Sequence, residues 1–290
     1  MLCNSFKLSS KQRKMCRRVN GMAETIMESV KDSVRQCEQQ FACERWNCSD
    51  GDYRLSLLRR GFKEAAFLHA ISAASLTYHV SRACSSGDLD RCSCDKSSAL
   101  ETQRQQLKYG GCGDNIKYGV AFTKRFMKAG AAGRHADVQL HNNRLGIWAV
   151  RRNLTRRTCK CVGLSGSCTV KTCWLQLREL PVVARDLKAK TAHRKNAHTS
   201  KKTLLFAERS PDFCSQSKYS AGTTGRRCNG CGNGVDAGRL SEGATCDSMC
   251  CGRGYNTRRE FLQRSCSCKV TGIVARCEIC NYTQLAYYCK

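Results

Sequence analysis

The chain contains little of what marks a membrane-spanning protein or a metal protein. No run approaches the roughly eighteen apolar residues that a bilayer-crossing helix needs, so no transmembrane helix is expected. Histidine is scarce, six in 290 residues. Two of them, His69 and His79, fall in an apolar stretch, where they read as core or edge residues and not as ligands. Low-complexity tracts and long internal repeats are absent. Acidic residues number 23 against 50 Lys and Arg, a formal net charge of +27. That field attracts polyanions such as nucleic acid, heparan-type glycans or anionic membrane. The start, Met1 to Lys7, has neither the basic residues nor the apolar stretch of a signal peptide.

What is abundant is cysteine, 24 residues. An even count at this density reads as a disulfide framework made in an oxidising compartment. Secretion is therefore expected, with glycans as the polyanionic partner, and a chain without a leader is expected to be a fragment or a truncated gene product. Because 290 residues can bury a core without crosslinks, the bridges do more than compensate for small size. N-glycosylation sequons begin at Asn47, Asn153 and Asn281. In the first, the middle residue is itself a cysteine, Cys48.

Val19, Ala23, Ile26, Val30, Val34 and Cys37 recur at steps of three and four, which predicts one face of a helix. From Leu57 to Val80 the chain is apolar almost all round, as for a helix buried in a bundle. Further helices are expected at 116–132 and 138–155, the latter with Leu140, Ile147, Val150 and Leu154 on one stripe. After Pro181 the pattern changes: residues 186–202 hold six Lys and Arg with little apolar content, which reads as a linker or exposed loop. Beyond Phe213 come eleven cysteines and short apolar runs, so bridge-held hairpins are expected.

The densest cluster is Cys159, Cys161, Cys168 and Cys173, arranged around Ser165. Four cysteines permit three pairings. In the nested one, Gly163 and Gly166 allow a tight turn that exposes Ser165. Residues 163–167 approach the G-x-S-x-G nucleophile elbow but carry Ser167 at the fifth position, and the loop follows a helix where the elbow joins strand to helix. No acid and histidine follow in triad order. No enzyme is expected, and Ser165 reads as an acceptor for an attached group.

At this point the whole chain resembles the Wnt family. The resemblance is carried by Arg45 to Cys48, Ala83 to Cys84, Cys92 to Cys94, Tyr109 to Cys112, His141 to Asn143, Cys159 to Trp174, Asp212 to Cys214, Cys250 to Gly254 and Cys266 to Cys268. It implies a secreted, non-enzymatic ligand of the extracellular space and matrix, without a cofactor but with palmitoleate on Ser165. The acyltransferase Porcupine would attach the lipid and the carrier Wntless would escort the chain during secretion. It implies a "thumb" hairpin that puts the lipid, with Gly163, Leu164 and Gly166 beside it, into the cysteine-rich domain of a Frizzled receptor. A "finger" loop would add Val270, Ile273 and Val274.

The implied fold is α+β and disulfide-rich. Residues 1–185 form an N-terminal helical bundle with the thumb at 159–173, residues 186–211 a basic linker, and residues 212–290 a cysteine-rich domain of small hairpins with the finger at 266–280. The implied bridges are Cys37–Cys48, Cys84–Cys92, Cys94–Cys112, Cys159–Cys173, Cys161–Cys168, Cys214–Cys251, Cys228–Cys246, Cys250–Cys289, Cys266–Cys280 and Cys268–Cys277, with Cys3–Cys16 in addition. Val162 stands where the family usually has histidine, and Cys43 and Cys231 are additions.

No acidic residue occurs from Val138 to Arg178, against eight Lys and Arg. Arg151, Arg152, Arg156 and Arg157 are thus candidates for heparan sulfate, and the resemblance adds Lys188, Lys190, Arg194 and Lys195 for a lipoprotein-receptor-related co-receptor. A competing reading is a zinc-binding, nucleic-acid-binding protein using Cys266, Cys268, Cys277 and Cys280 as thiolates. It leaves twenty cysteines unexplained, and aromatic residues do not interleave with the basic clusters; nucleic acid is not the expected partner.

Overall fold

Residues 63–86 carry apolar or small side chains on nearly every side, and in the computed structural model they form a buried helix at the centre of the larger of two units. The structure describes residues 2–48, 51–95, 112–153, 156–161, 168, 171–190, 193–194, 202–229, 246–271 and 274–290. One unit comprises Met1–Gln40 and Arg54–Ser210, the other Phe41–Tyr53 and Pro211–Lys290. The division differs from the expected one twice. Residues 41–53 belong with the C-terminal segment, and the described part of the expected linker belongs to the helical unit.

The helical unit begins with α1 (Leu2–Ser5), α2 (Ser10–Arg17), α3 (Met22–Phe41), α4 (Asp52–Leu58) and α5 (Lys63–Ser86), and continues with α6 (Ile116–Gly130) and α7 (Ala136–Arg152). Strands β1 (Arg156–Cys161) and β2 (Lys171–Gln176) follow, then α8 (Leu180–Ala189), β3 (His193–Arg194) and β4 (Leu205–Phe206). The expected helix from Leu57 is broken before α5. The Gly61 carbonyl there accepts the N–H groups of Ala207 and Glu208 at 2.7 and 2.8 Å, in place of a helical partner.

Two glycines let helices cross α5 closely. A Cβ on Gly146 of α7 would lie 1.9 Å from the Ala70 carbonyl oxygen, and one on Gly119 of α6 would lie 2.1 Å from Ser81 Oγ. The stripe predicted for α3 and its approach is buried in part, at Val19, Ile26 and Cys37. Val30 is 54% exposed, while Thr25, Ser29, Ser33 and Gln36 are buried. Ser29 lends its carbonyl to the buried Ser75 hydroxyl of α5 at 2.7 Å, so small polar residues serve where large apolar ones would hold the helices apart.

Pro181 starts a helix and does not end one. It occupies the first turn of α8, where its missing N–H costs nothing, and Leu180, Val183, Ala184 and Leu187 pack inward at helical spacing. Leu204 and Leu205 are buried as well. The Asn142 amide exchanges two hydrogen bonds with the Leu205 backbone, both 2.9 Å, which holds residues 203–206 against α7.

The second unit has a small core. Trp46 is buried, edge-on to Phe41 at 4.9 Å and tilted against Phe213 at 6.3 Å. Arg45 Nε donates to the Ser248 carbonyl at 2.8 Å, beside the short α9 (Cys246–Met249), and Arg226 donates to the Glu44 carbonyl at 2.9 Å. Met249, Cys228, Cys250 and Cys289 form a further buried cluster. From this base one long antiparallel hairpin extends, β5 (Tyr255–Thr271) and β6 (Val274–Cys289). The predicted finger at 266–280 is its outer half.

Candidate functional site

The strand pair β1–β2 has Cys159 directly opposite Cys173 and Cys161 opposite Lys171. Bridges join Cys159 to Cys173, with Cα atoms 4.1 Å apart, and Cys161 to Cys168, 4.6 Å apart. Of the pairings open to these four cysteines, the nested one is present. Two successive crosslinks therefore close the segment that carries Val162 to Ser167. That segment, with Gly163, Leu164, Ser165 and Gly166, lies outside the described residues.

The base of this hairpin is pinned by Asp114. One carboxylate oxygen accepts the Leu177 N–H at 2.7 Å, the other accepts the Ser85 hydroxyl at 2.9 Å, and the Asp114 N–H donates to the Leu175 carbonyl at 3.1 Å. The end of α5, the start of α6 and the strand returning from the loop thus meet on one buried acid. Sequence reasoning missed it. The available signal was an Asp-Asn pair ahead of a helical run, for Asn115 also caps α6 by accepting the Tyr118 N–H.

On the outer hairpin, Cys266–Cys280 and Cys268–Cys277 crosslink β5 to β6 across a register shift between Cys266 and Lys269. Val270 and Val274 are 73% and 54% exposed near its tip; Ile273 lies outside the described residues. These bridges consume the four thiols that a zinc site would need.

The remaining described bridges are Cys3–Cys16, Cys84–Cys92, Cys214–Cys251, Cys228–Cys246 and Cys250–Cys289. Cys37 and Cys48 are each disulfide-bonded. The expected Cys94–Cys112 bridge is not made. Asp95 pairs with Gly113, a register that sets Cys94 across from Asp114 and diagonal to Cys112, and diagonal neighbours sit at about 7–8 Å, beyond the usual reach of a disulfide. The Cys112 thiol faces the Ser85 carbonyl at 3.3 Å. Cys231 lies outside the described residues.

The basic candidates separate. Arg152 and Lys190 converge on the Trp148 ring, at 5.4 and 4.6 Å from its centroid, and burial lowers the Lys190 pKa although Asp186 opposes that shift. Lys188 donates to the Gln40 carbonyl. Arg151 is exposed at the end of α7. Arg156, Arg157 and Arg194 are described only as strand backbone, and Lys195 not at all. His69, whose ring Nε2 is 3.3 Å from the Leu58 carbonyl, has its pKa pushed down to about 4 by burial. His79 lies 3.2 Å from Asp32. Of the sequon asparagines, Asn47 and Asn153 are half-buried and Asn281 is exposed.

These features define a crosslinked α+β protein that extends two disulfide-braced hairpins, and among the described residues no helix is long and apolar enough to cross a membrane. The model of the Wnt family matches residues 4–290. Protein Wnt-9a of Gallus gallus is 40% identical over 318 residues, covering 100% of this chain and 86% of that protein. Human protein Wnt-9b is 40% identical over 318 residues, covering 99% and 85%. A chain of the human WLS complex with WNT8A superposes with a TM-score of 0.67 at 33% identity, over 92% of this chain and 94% of that one. The chain belongs to the Wnt family, a family of secreted signalling ligands.

Proposed function

We propose that this chain binds the cysteine-rich domain of a Frizzled receptor through a palmitoleoyl group on Ser165, with Gly163, Leu164 and Gly166 beside the lipid and Val270, Ile273 and Val274 making a second contact. The observation that carries the reading is the pair of nested crosslinks that enclose Ser165, Cys159–Cys173 between β1 and β2 and Cys161–Cys168 inside it. A loop held that way loses little conformational freedom on docking. Burying a sixteen-carbon chain supplies on the order of 10 kcal/mol at about 0.8 kcal/mol per methylene, before ordering costs. One acylated side chain can thus dominate the affinity.

In the same reading Porcupine acylates Ser165, and a carrier of the Wntless type escorts the product; the second step is supported by the likeness to the WNT8A chain solved with WLS. Arg151, Arg152, Arg156 and Arg157 contact heparan sulfate in the extracellular matrix. Lys188, Lys190, Arg194 and Lys195 contact a lipoprotein-receptor-related co-receptor. Mass spectrometry of the Ser165 peptide from secreted protein, together with receptor affinity of wild type, Ser165→Ala and unacylated wild type, tests the mechanism. The acylated form should bind much more tightly than the other two. Equal affinity for all three refutes the lipid anchor.

A further inference from the structure

We propose that an N-linked glycan on Asn281 covers the exposed apolar face of the β5–β6 hairpin. This rests on the reading of the chain as a product of the secretory pathway, and adds what occupies this face.

Alternate residues of a strand share a face, so the register places Leu285, Phe261, Asn281 and Ile279 together along one side of the ribbon. Phe261 is 80% exposed, Ile279 70% and Leu285 46%. The same face carries Ser265, Gln263, Thr283 and Arg259, so the exposed apolar side chains stand on either side of Asn281 and not in an unbroken strip, and a group attached at Asn281 is placed to cover both neighbours. Asn281 lies across from Gln263. Ile279 stands two residues before it on the same strand, and Phe261 is its diagonal neighbour on the facing strand, about 7–8 Å away by sheet geometry. Thr283, the hydroxyl residue of the sequon, lies directly across from Phe261.

The other two sequons are placed differently. Asn153 Nδ2 already donates to the Ala149 carbonyl at 3.0 Å and to Asp186 at 2.9 Å. Asn47 adjoins Cys48, which is buried and disulfide-bonded. Asn281 alone of the three is exposed, on a strand whose next outward residue is its own sequon threonine.

The chemistry of the cover fits. N-acetylglucosamine presents C–H groups on its ring faces and an acetamido methyl, which pack on the electron-rich face of an aromatic ring, while its hydroxyls remain in water. The modification needs a lipid-pyrophosphate-linked oligosaccharide as donor. The Asn281 amide nitrogen bonds to the anomeric carbon as the bond from that carbon to the pyrophosphate oxygen breaks. Pyrophosphate carries away the electron pair, and the amide proton is lost to a base.

The test uses protein secreted from animal cells. The Asn281 peptide should carry a glycan by mass spectrometry, and enzymatic removal of the glycan from the folded protein should raise both apolar-dye fluorescence and self-association. Asn281→Gln, which removes the glycan without creating a carboxylate, should show the same rise. In Phe261→Thr, which keeps the sequon, deglycosylation should change the dye signal far less. If that variant is not secreted, hydrogen exchange at 259–263 in wild type with and without glycan decides, with faster exchange expected once the glycan is gone. A bare Asn281, or a glycan whose removal alters neither dye signal nor exchange, overturns the proposal. Receptor affinity measured on the same samples reports separately on the Ser165 mechanism.

Discussion

The carboxylate of Asp114 accepts the backbone N–H of Leu177 at 2.7 Å. An acid two positions ahead of α6 thereby holds the backbone that leaves β2, and the base of the bridged hairpin is fixed by a residue far from it in sequence.

Asp114→Ala should destabilise the helical unit by about 2–3 kcal/mol, because it removes an ionised acceptor and leaves the Leu177 N–H buried without a partner. Asp114→Asn, which keeps one acceptor oxygen, should cost less. Denaturant titration gives the two values, and limited proteolysis in the 154–176 region should speed up in the order Asn, then Ala.

Gly146→Ala should cost about 2–3 kcal/mol, since the new methyl can be accommodated only by pushing α7 off the Ala70 carbonyl of α5. Gly119→Ala meets the Ser81 hydroxyl and also the Thr77 carbonyl at 2.8 Å. Adding Ser81→Ala should recover part of that loss and not all of it, a coupling that a double-mutant cycle measures.

Replacing Cys250 and Cys289 by alanine opens a crosslink of sequence separation 39 in the core of the second unit. Chain entropy alone puts the loss at about 4 kcal/mol, against about 3 kcal/mol for Cys268 and Cys277, which are separated by 9 residues and join strands already paired. Thermal unfolding of secreted variants should rank them in that order. Reversal of the ranking would mean that the outer bridges carry the hairpin.

His69 should make stability fall on mild acidification. Its pKa is lowered from 6.5 to about 4 by burial, so between those values the unfolded chain binds a proton that the folded one refuses. Stability therefore rises with pH across that window and is flat with respect to this group below about pH 4. In His69→Gln the slope of unfolding free energy between pH 6.5 and 4 should shrink. An unchanged slope would assign it to other groups.

Much of the architecture was legible. The all-round apolar run forms the buried helix, and the cysteine cluster around Ser165 forms a doubly bridged hairpin. Two failures share a cause, a partner distant in sequence: Ser29 looks polar yet accepts a hydrogen bond from Ser75 of α5, and residues 202–210 look like linker yet are held on α7 by Asn142. Pro181 looks like a break yet starts a helix, because the first turn needs no N–H from it.

By itself the sequence determined the family, the secretory chemistry implied by its cysteines and the identity of the acyl-acceptor candidate, because covalent spacing and composition are local properties of a chain. Tertiary structure alone decided that Asp114 anchors the thumb, that Cys94 and Cys112 are set diagonally, that residues 41–53 join the C-terminal unit, and that Asn281 shares a face with Phe261. Those outcomes depend on register and on the distance of closest backbone approach, quantities that exist only once strands have paired and helices have crossed.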